Sequence, residues 1–140
     1  MAVIKPSEST SILSKSKEGE EMKINIPGVD AKMGLSLYGN EMDIYLEVLR
    51  SYLSYTPEVL ETIRNVSEET LPEYIITVHG IKGTSANIGA EKTREAALNL
   101  EKMAKAGDLR GVLEINDSFI KDTENMLLGI KTWLEQHGGS

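Results

Sequence analysis

Between Asp30 and Leu134 the apolar residues return every third or fourth position and almost nowhere alternate, so this chain has to fold as helices. The punctuation agrees with that period. Pro27-Gly28 is a turn, and Asp30 after it is a good N-cap for a short helix with Met33 and Leu37 on its inner face. Asn40 reads as the cap of a longer helix, with Asp43 in the first turn and a stripe of Met42, Tyr45, Leu46, Leu49, Tyr52 and Leu53. Pro57 interrupts it at about 3 kcal/mol for a helix interior. Leu60 and Ile63 resume the pattern, so a kink or restart is expected near Thr56. A third helix is expected from Thr70 to Asn87, with Pro72 in its first turn and Gly89 closing it. A fourth runs from Ala90 to Ala106, carrying Ala96, Ala97, Leu100 and Met103 and stopping at Gly107. Asp108 caps the last, whose stripe is Val112, Leu113, Phe119, Ile120, Leu127, Ile130, Trp133 and Leu134. Helices on short connections run antiparallel to their neighbours. The expected architecture is all-α, an antiparallel four-helix bundle with a short additional N-terminal helix.

Composition narrows the chemistry. The chain has 140 residues, enough for one domain, and 40% of them are hydrophobic, enough for one core. It has no Cys, which excludes disulfides, thiolate zinc, iron–sulfur ligation and a cysteine nucleophile; with only 2 His, no metal site is expected. Lysines and glutamates balance over residues 1–27, so the whole net charge of −7 sits on residues 28–140. An acidic domain repels phosphate backbones and anionic lipid, which argues against nucleic acid or membrane as a partner. No apolar run approaches the roughly 20 residues of a bilayer span. No apolar stretch follows Lys5 as it would in a secretory signal, and the chain is expected to be cytoplasmic and monomeric. Residues 1–25, rich in Ser, Thr, Lys and Glu, read as a flexible tail or linker. The domain is then 26–137, and 138–140 are a disordered end.

One segment is more than scaffold. Residues 70–90 read TLPEYIITVHGIKGTSANIGA. On a helical wheel, Tyr74, Thr77, Ile81, Thr84 and Ile88 form a plausible inner face. Around His79, within roughly 60°, lie Pro72, Ile75, Ile76, Lys82, Gly83 and Ala86. Ordinary solvated helix faces carry Glu, Lys and Gln. Gly80 and Gly83 each cost about 1 kcal/mol relative to alanine inside a helix, which asks for a reason. Access supplies one: Gly83, a turn from His79, leaves the imidazole unshielded, while Ile75, Ile76, Gly80 and Ala86 give an apolar patch on which another protein could dock. A free imidazole, with a pKa near about 6.5, is largely neutral at cytoplasmic pH and offers one ring nitrogen as a nucleophile. Lys82 on the same face can neutralise a phosphoryl group arriving there. A lone His on a helix is more often an ordinary surface or core residue, and on the wheel alone that reading stays open. A Ser85–Lys82 dyad lacks an oxyanion arrangement, and G-I-K-G-T-S has the wrong order for a phosphate-binding loop. His137 near the C-terminus reads as incidental, and Tyr45, Tyr52 and Tyr55 as core and rim packing.

H-G-I-K-G-T-S-A-N-I-G-A at 79–90 resembles the signature of the histidine-containing phosphotransfer (HPt) family, roughly His-x-x-Lys-Gly-x-Ser/Ala-x-x-Ile/Leu-Gly-Ala. I-P-G-V-D-A-K-M-G-L-S-L-Y-G-N at 26–40 and Y-L-E-V-L-R-S-Y-L at 45–53 are similar to the family's opening helices. L-E-K-M-A-K-A-G-D-L at 100–109 is similar to its helix-to-helix turn. The resemblance implies a bundle in which His79 takes a phosphoryl group on its outward ring nitrogen, with Lys82 as the phosphate-side base and Gly83 as the clearance glycine. Gly80 stands where Thr, Ala or Ser is usual. The implied partners are response-regulator receiver domains, which bring the acceptor aspartate and the Mg²⁺, and a sensor or hybrid histidine kinase. No cofactor of the chain's own and no ATP site are implied. The expectation is a phosphocarrier in a multistep His–Asp relay, free-standing or part of a hybrid kinase; the alternative is a helical docking module for receiver domains that carries no phosphate, which would need His79 buried or non-reactive.

Overall fold

The computed structural model describes residues 24–137. The expected tail and the closing residues 138–140 fall largely outside that range, but Ile24 packs partly against the core and Ile26 is buried in it, so the domain begins slightly before residue 26. Five helices follow: α1 (Ala31–Ser36), α2 (Met42–Thr62), α3 (Leu71–Ala86), α4 (Glu91–Lys105) and α5 (Leu109–Gln136). Each long helix packs on its neighbours in sequence, and α2 also packs on α5, which closes the four into a ring; α1 leans on α2. This is the all-helical bundle that the periodicity predicts.

Most helix ends are set by the residues singled out for them. Asp30 accepts from the Met33 amide at 3.1 Å and Asp108 from that of Gly111 at 2.9 Å. Gly89 and Gly107 have φ of +83° and +76°, the left-handed conformation that turns the chain out of α3 and α4. Four expectations need correction. Asn40 is no N-cap: with Gly39 it makes a left-handed turn (φ 62° and 63°), and Glu41 flanks α2 instead. Of the kink or restart expected near Thr56 the restart does not occur: α2 runs unbroken from Met42 to Thr62 with Pro57 inside it, where the missing donor leaves the Leu53 carbonyl free. Met33 and Leu37 are exposed, because α1 turns Gly34 inward. An added Cβ at Gly34 would stand 2.5 Å from the Tyr45 ring and 2.7 Å from the Ile88 carbonyl oxygen, so only a residue without a side chain lets α1 come this close. Leu113 is exposed as well, while the rest of the predicted α5 stripe is buried together with Asn116, Thr123 and Met126.

The inner face of α3 is rotated from the one expected. Tyr74, Val78, Ile81 and Ser85 are buried, while Thr77 and Thr84 are only half-buried and line a groove against α2. Hydrogen bonds, all but the Tyr38 one buried, hold α3 at both ends. At its start the Tyr74 hydroxyl donates to Asn116 Oδ1 at 2.7 Å, and Asn116 Nδ2 donates to the Ile63 carbonyl at 2.8 Å, joining α3 to α5 and to the end of α2. At its finish Tyr45 donates to the Ile88 carbonyl at 2.8 Å, Tyr38 to that of Asn87 at 2.8 Å, and Tyr52 pairs with the Ser85 hydroxyl at 2.9 Å. Burial pushes the Tyr45 and Tyr74 hydroxyls up from their usual pKa and that of Tyr52 up to about 12, so all three stay neutral. Residue 79 lies between the two sets of anchors, on a helix that can neither slide nor roll without breaking them.

Candidate functional site

His79 projects from the middle of α3 with 63% of its side chain exposed. The docking-only alternative asked for a buried or non-reactive ring, and this ring is not buried. Its Nδ1 lies 2.7 Å from Oε2 of Glu101, a carboxylate on α4 whose side chain is only 4% exposed. A carboxylate can only accept, so Nδ1 carries the ring proton and Nε2 turns its lone pair to solvent. Lys82 lies one turn along α3 on the side facing α4, and its Nζ donates to Oε1 of the same carboxylate at 2.8 Å. Lys105, one turn beyond Glu101 on α4, approaches Oε2 at 3.2 Å. One buried anion thus collects the His79 ring and two cations.

Glu101 was not among the residues singled out from the sequence, although a signal was there. Ala97, Leu100, Glu101 and Ala104 share the buried face of α4, so the glutamate occupies a core register. A carboxylate in such a place needs cationic or hydrogen-bonding partners. The Lys82 ammonium foremost, with the His79 ring and Lys105, overcomes the opposing effect of burial and holds its pKa down to about 2 from 4.5. A folded-state pKa below the unfolded one means that these contacts stabilise the fold above about pH 4.5 and that the contribution is lost as the pH falls towards 2. A carbon-13 NMR titration of the Glu101 carboxyl should show a midpoint well under 4.5; a midpoint at the model-peptide value would mean that the carboxylate is not held as described.

The remaining candidates divide between two sides of His79. Ile76 and Gly80 are exposed and border a groove of about 540 Å³ between α2 and α3, shared with Tyr55, Val59, Thr77 and Thr84. Tyr55 is therefore exposed at this groove, unlike the buried Tyr45 and Tyr52. Ile75 packs partly on the core, and Ile75 and Ala86, both half-buried, lie outside the groove that Ile76 and Gly80 border. A Cβ added at Gly83 or Gly80 would meet nothing within 4 Å: both positions open to solvent beside His79. Ser85 is buried against Tyr52, which takes it out of any dyad with Lys82. His137 stacks on Trp133 at the end of α5. Among the described residues there is no group of three or more His, Asp or Glu that could hold a metal ion, and no helix is long and apolar enough to cross a membrane.

Comparison with curated proteins and with solved structures returns no match. A family model, described as the Hpt domain, matches residues 47–136. That span takes in α3 with His79, Lys82 and Gly83, α4 with Glu101, most of α2 and all of α5. With well over half of its length matched, and an outward imidazole at the motif's histidine, the chain belongs to the Hpt domain family.

Proposed function

We propose that His79 is the phosphoacceptor of a multistep His–Asp relay, in which the domain carries a phosphoryl group between receiver-domain aspartates, free-standing or as part of a hybrid sensor kinase. Membership of the family supports histidine phosphotransfer. The observation that carries the residue assignment is the exposed ring whose Nδ1 is tied to a buried carboxylate. Nε2 attacks the phosphorus of an aspartyl phosphate in line; the N–P bond forms as the P–O bond to the aspartate breaks, and the carboxylate leaves on the receiver. Because Nδ1 keeps its proton, the ring becomes cationic as the bond forms. Glu101 faces that charge at 2.7 Å, which lowers the barrier and holds the ring in its reactive tautomer. The reverse reaction hands the group to a second receiver and restores the neutral ring. Lys82 supplies positive charge to the phosphoryl oxygens. The receiver brings the Mg²⁺, and this chain acts as a carrier with no ATP site of its own.

The receiver docks over His79, with Ile76, Gly80 and Tyr55 at the α2–α3 groove as its apolar footing. Gly83 leaves the approach to the ring clear. The test is incubation with a panel of phosphorylated receiver domains, following loss of label from each and gain of acid-labile, base-stable label on this chain. No gain from any of them argues against the relay. Gly83→Phe should leave the helical spectrum unchanged, since the position is open, yet slow transfer from the best donor by at least about tenfold, as a misplaced approach to the nucleophile does. Transfer at the wild-type rate would show that the glycine gives no clearance.

A further inference from the structure

The two lysines on Glu101 are not equivalent, and the difference bears on how the phosphorylated state is held. Lys82 is 25% exposed and engages Oε1 at 2.8 Å; Lys105 is 60% exposed and sits at 3.2 Å from Oε2. In the resting site the ammonium that should serve the phosphoryl group is therefore committed to a buried carboxylate. When a phosphoryl group forms on Nε2, Lys82 is drawn to its oxygens and Oε1 loses its donor. At that same moment Glu101 most needs to remain ionised, because the ring it faces has become cationic. A buried carboxylate stripped of a cation is strongly disfavoured.

We infer that Lys105 is a positioning residue, a reserve counter-ion that takes over Glu101 when Lys82 turns to the phosphoryl group. Its place suits the task. It stands one turn from Glu101 on the same helix, at the C-terminal end of α4, where a cation is favoured. Its exposed, flexible stem needs only a small swing to span both carboxylate oxygens. Among the described residues, the ionisable groups paired with Glu101 are His79 and Lys82 from α3 and Lys105 from its own helix, with none from α5. No other cation is thus in position to replace Lys82. Without Lys105, Lys82 has to stay on Glu101 and the phosphoryl group loses its neutralising charge.

The inference rests on His79 as the phosphoacceptor, and its test separates the two. Phosphoramidate, a small donor that loses ammonia as its phosphoryl group moves to an imidazole, labels the full chain without any receiver domain. The lifetime of the phosphohistidine is then followed by phosphorus-31 NMR in the wild type, Lys105→Met, Lys105→Arg, Glu101→Gln and the Glu101→Gln/Lys105→Met double variant. Lys105→Met should shorten the lifetime about tenfold, the size of one charge-assisted hydrogen bond, while Lys105→Arg restores it to within about twofold. In the Glu101→Gln background, where no anion needs holding, Lys105→Met should add nothing. A wild-type lifetime in Lys105→Met overturns the hand-over, as does failure of arginine to rescue. A further loss in the double variant overturns it too, since Lys105 would then act on the phosphoryl group directly. A wild-type chain that labels from phosphoramidate but from no receiver domain defeats the relay reading and leaves the hand-over standing; one that takes no label at all defeats both.

Discussion

Replacing His79 with glutamine is expected to abolish phosphoryl acceptance outright. Glutamine keeps an N–H that can reach Glu101, so the buried carboxylate retains a donor, but it has no ring nitrogen with a lone pair to attack phosphorus. The position is 63% exposed and the glutamine amide keeps a donor on Glu101, so the change in stability is expected to stay near the usual surface range of about 0.5 kcal/mol. Helical content and melting temperature should therefore match the wild type while the acid-labile, base-stable label falls to background with every donor receiver. The donor's aspartyl phosphate should then decay only at its own hydrolysis rate. The clean separation of fold from chemistry is what gives the experiment its force. Label of the same acid-labile kind persisting in His79→Gln would place the acceptor elsewhere. The only other histidine, His137, is stacked on Trp133 at the far end of α5 with its Nδ1 against the Trp133 carbonyl, so His137→Gln is the matched control and should leave labelling untouched.

The helices were legible because each buries one face, and burial of one face writes its period into the sequence. The candidate site's histidine was legible for the opposite reason. His79 and two glycines occupy places where neither packing nor helix propensity wants them, and local rules broken without structural gain mark function. What periodicity could not supply was direction. The wheel placed His79 and Lys82 on one face, but only the packing of α3 between α2 and α4 sends Lys82 towards Glu101 and Ile76 towards the α2 groove. Ile75 and Ile76 look equivalent in sequence and are divided by the same packing, one partly in the core and one in solvent. α1 was turned the wrong way because its inner face is defined by Gly34, a residue with no side chain to register as apolar. Glu101 could have been found. A glutamate one position after Leu100 and three before Ala104 breaks an otherwise apolar stripe, and it turns out to be in contact with His79, the other exception.

Gly89→Ala is expected to be the most damaging change of a single methyl group in this domain. The residue closes α3 at φ +83°, where a Cβ costs about 1–2 kcal/mol. The added carbon would also collide with the backbone carbonyl of Asp30, which cannot swing aside because the same residue caps α1 and donates its amide to the Gly89 carbonyl at 2.8 Å. Forcing a methyl into packed backbone costs about a further 1–3 kcal/mol. The sum, about 2–5 kcal/mol, is a large part of the 5–15 kcal/mol that keeps a typical domain folded. Urea unfolding should show the midpoint falling with little change in slope, the sign of lost stability rather than of altered compactness. Gly80→Ala is the internal comparison, inside α3 and in open space: with no contact to lose and a helix interior to favour it, alanine there should stabilise by up to about 1 kcal/mol. Opposite signs from two glycines that look alike in the sequence would establish that α1 is seated on the α3–α4 turn. A Gly89→Ala chain unfolding at the wild-type midpoint would show that this contact does not exist, and with it would go the reason why a helix as short as α1 is ordered at all.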